Sequence, residues 1–139
     1  MKKIVLFLIL IVLVVGMTAC GQELTETGVY EDFTLTLESA ERFEVEGVSC
    51  VRVHATYTNK SSDPYYALCC FSVRAFQNDT EIADMSDING NEATLIKEVK
   101  NGQSVEVTYV FELVDESAVE VLIGEPTAEC KTIGRAVYE

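Results

Sequence analysis

Val51-Arg52-Val53-His54-Ala55-Thr56-Tyr57-Thr58 sets an apolar side chain at every odd position and a polar one at every even position. A period of two is the signature of a β-strand with one buried and one solvated face. The surrounding run from Val48 to Asn59 is therefore predicted as one strand, closed by the loop composition Asn59-Lys60-Ser61-Ser62-Asp63-Pro64. Upstream, Phe33, Leu35 and Leu37 alternate against Thr34, Thr36 and Glu38 in the same way. Downstream, Ala67 to Gln77 reads as a third strand, with Phe71, Val73 and Ala75 on one face. Asn78-Asp79 then offers a tight hairpin turn into Thr80-Glu81-Ile82, because Asn and Asp tolerate the left-handed backbone that such turns require.

Asp84 to Glu92 is a polar loop and Ala93 to Val99 is expected to be a short edge strand, its neighbourhood protected by Lys97, Glu98 and Lys100. After a turn at Asn101-Gly102, Ser104 to Val114 is a long strand with Val105, Val107, Tyr109, Phe111 and Leu113 on one face. Ala118 to Ile123 and Thr127 to Val137 complete the set, with Gly124-Glu125-Pro126 as the corner between them. Seven to eight short strands at this turn spacing, with no helical stretch longer than a turn or two, give an all-β class. The expected architecture is an immunoglobulin-like antiparallel β-sandwich.

The N-terminus follows a different pattern. Lys2 and Lys3 precede an unbroken apolar run from Ile4 to Val15, followed by Gly16, Met17, Thr18, Ala19 and Cys20. This reads as a helical secretory signal peptide. A retained membrane span needs about 20 predominantly apolar residues, and this run ends well before that. Met17-Thr18-Ala19-Cys20 resembles the lipobox of bacterial lipoproteins, with Met17 standing where leucine is usual. The resemblance implies cleavage before Cys20, acylation of that cysteine with palmitate-type chains, and a lipid anchor in the cell membrane with the domain on the extracellular face. Stable anchoring needs two or more acyl chains, each buried methylene contributing ~0.8 kcal/mol. The chain accordingly divides into a signal peptide at 1–19, a lipidated tether at 20–28 and the sandwich domain at 29–139.

Without residues 1–19 the chain has 120 residues, enough for one domain with its own core. Removing Lys2 and Lys3 from the ten basic residues leaves eight against 23 acidic ones, a formal charge of −15. Such a surface repels nucleic acid and anionic lipid, so no nucleic-acid partner is expected and the domain should stand off the membrane on the polar stretch Gly21 to Gly28.

Catalytic signals are sparse. Nucleophilic catalysis by Ser or Cys usually needs an oriented base, and the single histidine, His54, lies in mid-strand on the polar face. The many carboxylates define no pair with a distinct environment. The loop Asp84 to Glu92 carries the oxygens that hard cations prefer, but aligning Gly90 with the invariant glycine of an EF-hand puts Met85 at the first ligand position and Ile96 at the twelfth. That excludes an EF-hand and leaves an irregular Ca²⁺ site as an open alternative to a plain surface loop. No metal ligand set is assigned and no cofactor is expected.

Besides Cys20 there are Cys50, Cys69, Cys70 and Cys130, an even set that permits up to two disulfides outside the cell. In an alternating sandwich Cys50 begins a strand of opposite direction to those begun by the other three, which places it near the opposite end. A bridge of Cys69 or Cys70 with Cys130 is therefore preferred over any bridge to Cys50, since bonded Cα atoms lie within about 7 Å. Free thiols are the competing reading. A Cys₄ zinc site would show C-x₂-C spacings, which are missing, and a vicinal Cys69-Cys70 bridge would be strained and redox-active.

Three ordered stretches carry a second resemblance: Tyr57-Thr58-Asn59-Lys60-Ser61; Ala75-Phe76-Gln77-Asn78; and Lys97 to Gly102 leading into Ser104-Val105-Glu106-Val107. From about Gly28 to Gly124 the chain resembles a family of Gram-positive cell-surface lipoproteins with an immunoglobulin-like (telokin-like) β-sandwich and no assigned function. Asp79 stands where that pattern has glycine. The resemblance implies the fold and carries no catalytic residue. The expected function is a non-catalytic module that binds a protein, glycan or peptide through its loops or a sheet edge. Tyr65 and Tyr66, beside Pro64, are the contact candidates. The alternatives are a cysteine-dependent envelope accessory or sensor, and a hydrolase whose polar pocket would surround His54.

Overall fold

The computed structural model describes residues 21–87 and 92–139. The signal peptide and Cys20 lie outside them, as do residues 88–91 of the loop considered for calcium. In chain order the elements are β1 (Gln22–Tyr30), β2 (Phe33–Val45), β3 (Val48–Asn59), α1 (Ala67–Cys70), β4 (Ser72–Gln77), β5 (Thr80–Glu81), α2 (Glu92–Leu95), β6 (Gln103–Glu112), β7 (Val119–Gly124) and β8 (Thr132–Tyr138). They form two antiparallel four-stranded sheets, ordered β1-β2-β3-β6 and β5-β4-β7-β8. Apart from β1, this order is that of immunoglobulin strands A-B-E and C′-C-F-G, the sandwich expected from the alternating pattern.

The alternation translates directly into burial. Leu35, Leu37, Val51, Val53, Ala55, Tyr57 and Val107 from one sheet meet Ala75, Val119, Val121 and Ile123 from the other, all fully inaccessible to solvent. Strand β3 has the bounds predicted for it, and its polar side chains Arg52, His54, Thr56 and Thr58 face outward, partly exposed. Three two-residue turns close the hairpins. Glu46 and Gly47 take φ values of +51° and +81°, and Asn78 and Asp79 take +50° and +62°. Two consecutive left-handed residues make a type I′ turn, which suits the twist of the flanking strands, and Asp79 adopts it without glycine.

Three expectations are corrected. First, Gly21 to Gly28 is not a free tether but mostly strand β1, paired with β2 from Gln22↔Ala40 to Tyr30↔Phe33 across a bulge between Glu23 and Glu26. Only Leu24 and Gly28 are buried on this edge strand, with Tyr30 partly packed against the core at its end, too few to show a period in the sequence. Second, Ala67 to Cys70 is one helical turn rather than the start of a strand. The run Ala-Leu-Cys-Cys has no β-branched residue, and its buried members, Ala67 and Cys70, are three apart. Third, Ala93 to Val99 is not an edge strand. It holds the last three residues of α2 and a single backbone bridge from Val99 to Tyr65.

The free edge of β6 explains that third difference. Its backbone is satisfied by a loop instead of a strand: Met85 N donates to Val110 O at 2.7 Å and Glu112 N to Ala83 O at 2.9 Å. Between these, the hydroxyl oxygens of Ser86 and Thr94 accept from Val110 N at 3.1 Å and Thr108 N at 3.2 Å. Covering an edge in this way removes a template for unwanted strand pairing. Strands β1 and β8 pack together on the other flank, where the Gln22 side chain donates to Val137 O at 3.0 Å.

The approach of β1 to β7 depends on Gly28. A Cβ on Gly28 would lie 2.7 Å from Ile123 Cγ2, inside van der Waals contact. Gly28→Ala should therefore destabilise the domain by about 1–3 kcal/mol, the usual cost of overpacking. Urea denaturation checks this, and an unchanged midpoint for Gly28→Ala would show that β1 does not pack there.

Candidate functional site

Asn59 organises the end of the sandwich where the predicted contact residues lie. Its side chain is fully buried. Nδ2 donates to Asp63 O and Val99 O, both at 2.8 Å, while Oδ1 accepts from Ser61 N and Ser61 Oγ, both at 2.7 Å. Tyr65 and Val99 exchange backbone hydrogen bonds at 3.1 Å in each direction. Together these bonds fix where the chain leaves the first sheet and enters α1. Tyr65 and Tyr66 are 43% and 40% exposed. The Tyr65 ring is set edge-on against Phe33 with centroids 5.3 Å apart, so part of it packs over the core and the rest faces solvent. Leu68, one helical residue further on, is half exposed.

Leu68 is also a wall of a groove on the flank between β6 and β4. The larger basin, about 500 Å³, is bounded by Leu68, Phe71, Leu95 and Pro126, with Asp84 and Glu125 as its acids and Tyr109 within it. A smaller basin of about 270 Å³ shares Leu68, Asp84 and Leu95 and adds Asp87 and Glu92. Neither lining contains a lysine or an arginine. The four arginines are engaged elsewhere: Arg52 with Glu41, Arg74 with Glu81, Arg135 with Glu120, and Arg42 with Glu116 and the Ser117 carbonyl. The groove is thus acidic at its edges and apolar on its walls.

Tyr109 is the unusual member. It is 4% exposed, and its hydroxyl is buried with no hydrogen-bond partner among the described residues. An unpaired buried hydroxyl costs about 1–3 kcal/mol, so it is rare without a purpose or an exchangeable partner. Burial, reinforced by the Asp84 carboxylate, holds the phenol well above its usual pKa and hence neutral. Asp84 is fixed by its bridge to Phe111 and by accepting Ser86 N at Oδ1, 2.8 Å away. The alternating pattern of β6 identifies Tyr109 only as a core position. The one available clue was a hydroxyl on an inward face otherwise made of Val and Phe.

A second hollow, about 430 Å³, lies at the outer face of β4, β7 and β8. Of its polar groups Asn78, Glu120 and Arg135 are already paired: Asn78 Nδ2 donates to Asp115 Oδ2 at 3.0 Å and Arg135 Nε to Glu120 Oε2 at 2.8 Å. His54 belongs to neither hollow. It stands on the outer face of the first sheet, with Nε2 3.4 Å from Glu41 Oε1. Arg52, beside it, holds the Glu41 carboxyl below the usual range.

Cys50, Cys69, Cys70 and Cys130 are free thiols, so the bridge expected between Cys69 or Cys70 and Cys130 is not formed. Cys69 points to solvent, whereas Cys70 turns into the core with Sγ 3.3 Å from the Tyr57 hydroxyl. Cys130 lines the groove, and Cys50 is buried near the other end of β3. Burial raises the thiol pKa of both Cys70 and Cys50. Among the described residues no cluster of three or more His, Cys, Asp or Glu has metal-binding geometry.

The family model for a domain of unknown function, DUF5067, matches residues 18–123. No curated protein matches the sequence. Among solved structures, the chain is similar to a "putative lipoprotein" from Staphylococcus aureus, with 13% identity, a TM-score of 0.64 and coverage of 86% of this chain and 91% of that one. A conserved hypothetical protein from Bacillus anthracis has 15% identity and a TM-score of 0.54, covering 81% and 99% respectively. A Bacillus subtilis protein, also described as a lipoprotein of that provisional kind, has 14% identity and a TM-score of 0.59. There 83% of this chain matches 39% of the longer one. At these identities the likeness establishes the fold alone.

Two expected outcomes follow from the geometry. Tyr109→Phe removes only the unpaired hydroxyl, so urea denaturation should show unchanged or higher stability, by up to about 1 kcal/mol; a loss of that size would mean that the hydroxyl is paired. With iodoacetamide at pH 8, Cys69 should be alkylated first and Cys50 and Cys70 only on unfolding, because both are buried and their thiolates are suppressed. Peptide mass mapping over time reads the order, and early labelling of Cys70 would contradict it.

Proposed function

The chain belongs to the DUF5067 family, and on that premise we propose that it is a lipid-anchored, extracellular, non-catalytic binding module that receives its ligand in the groove beside Tyr109. The observation that carries this reading is the buried Tyr109 hydroxyl, unpartnered among the described residues, within an apolar groove edged by carboxylates that form no ion pair with any described residue. A cavity of this size with few polar groups is a usual form of ligand site.

The fold's layout is compatible with an anchor at Cys20. Only Gly21 separates that cysteine from β1, so the sandwich would sit directly on the membrane instead of standing off on a tether. Strand β1 then leads away for nine residues, ~30 Å at about 3.3 Å each, to Tyr30 at the end that carries Tyr65 and α1. The groove opens on the flank opposite β1 and β8, clear of the anchor's own strand. The lipobox resemblance at Met17 to Cys20 and the lipoprotein descriptions of two structural neighbours support the same placement.

The cysteine-dependent alternative retains one specific observation, the thiol of Cys130 at the groove. The hydrolase alternative has less support, since His54 is held by Glu41 on a different face from the groove.

Intact-mass measurement of the protein extracted from its native membrane tests the anchor. The expected mass is that of a chain beginning at diacylated Cys20, unchanged in its four other thiols by reduction. A full-length or unlipidated mass would overturn the placement.

A further inference from the structure

We propose that the groove is a site for a primary ammonium group on an aliphatic stem, as a lysine side chain of an extracellular peptide presents it; this rests on the groove being the binding site. The walls and edges specify different parts of such a ligand. Leu68, Leu95, Phe71 and Pro126 supply apolar surface along the groove, which a stem of methylenes covers and a hydrated sugar does not. Asp84, Asp87, Glu92 and Glu125 supply negative charge with no basic residue in the lining and no ion pair among the described residues. An anionic ligand would meet those carboxylates as well as the repulsion of a strongly acidic domain.

Tyr109 distinguishes this groove from a mere acidic patch. Its buried hydroxyl has a free acceptor, and an ammonium group that reached it would pair it while remaining close to Asp84. The neutral phenol can accept from a cation without competing for its charge.

The geometry also favours a compact cation over a planar one. A guanidinium binds best through a two-pronged contact with both oxygens of one carboxylate. Asp84 Oδ1 already accepts from Ser86 N at 2.8 Å, leaving Oδ2 as the oxygen without a partner among the described residues. A point-like ammonium with three donors can divide them between that oxygen, Tyr109 and water.

The test uses the mature lipidated chain in nanodiscs of phosphatidylcholine, whose zero net charge does not itself gather cationic probes. Three probes are titrated by calorimetry: a short peptide with one acetyl-capped lysine, the same peptide with norleucine in its place, and 1,5-diaminopentane. The lysine peptide is expected to bind, with the norleucine peptide at least tenfold weaker. Tyr109→Phe should weaken lysine binding about fivefold or more without loss of fold, and Asp84→Asn, which keeps the acceptor for Ser86 N, about tenfold. Binding of both the lysine peptide and the diamine, lost together in the two variants, supports the proposal with a peptide source. Binding of the diamine alone supports the ammonium chemistry and assigns the source to a free polyamine. Equal binding of the lysine and norleucine peptides, or a lysine affinity indifferent to Tyr109→Phe, overturns the ammonium assignment while leaving the groove a binding site. Silence of all three probes overturns both the assignment and the groove as the ligand site.

Discussion

The buried carboxamide of Asn59 is the contact on which the working end of this molecule depends. Four hydrogen bonds converge on one side chain, which satisfies its donors and acceptor together and ties two stretches of chain, the loop at Ser61 to Asp63 and Val99, to the end of β3. Losing such a group would remove one of two donors from each of the Val99 and Asp63 carbonyls, leaving them Tyr65 N and Ser61 Oγ, and would take away the acceptor of Ser61 N. Through Val99 the carboxamide also holds Tyr65, and through Tyr65 the start of α1. The exposed aromatic pair and Leu68 owe their positions to this polar knot at the edge of an apolar core.

Gln77 plays the equivalent part at the other hairpin end. Its buried side chain donates to Asp115 O and Ser117 O at 3.1 and 2.9 Å and accepts from Val114 N at 2.8 Å. Two buried amides thus pin two loops, while the apolar faces need only shape and volume. Sheet packing is set by a small-residue contact, Gly28 over Ile123, which lets β1 close one flank against β8. The opposite flank has no such closing strand. There the free edge of β6 is covered by residues 83–86 and Thr94, and the space left between this cover and β4 is the groove. One device therefore protects the sheet edge and creates the groove.

Legibility in the sequence follows burial on one face. β3, the inward residues of β6 and the Asn78-Asp79 turn were readable because each strand repeats a two-residue pattern and each turn needs a particular backbone. β1 was not, because an edge strand with only Leu24 and Gly28 buried resembles a polar linker. The segments Ala67–Cys70 and Glu92–Leu95 also escaped, since a single helical turn has no room to display a period. Tyr65 and Tyr66 are exposed as the loop position suggested, whereas the thiols are not bridged as the strand directions suggested.

By itself the sequence determined an all-β sandwich, its acidic surface and the strand faces that make its core, because these rest on alternation and composition, which are local. Only the tertiary structure decided where the leftover polar groups go. Whether the Tyr109 hydroxyl finds a partner, and which carboxylates edge the groove around it, depends on residues from Leu68 to Pro126 that meet only when the two sheets close. Local pattern specifies which face a side chain points to, and long-range packing alone specifies what it finds there.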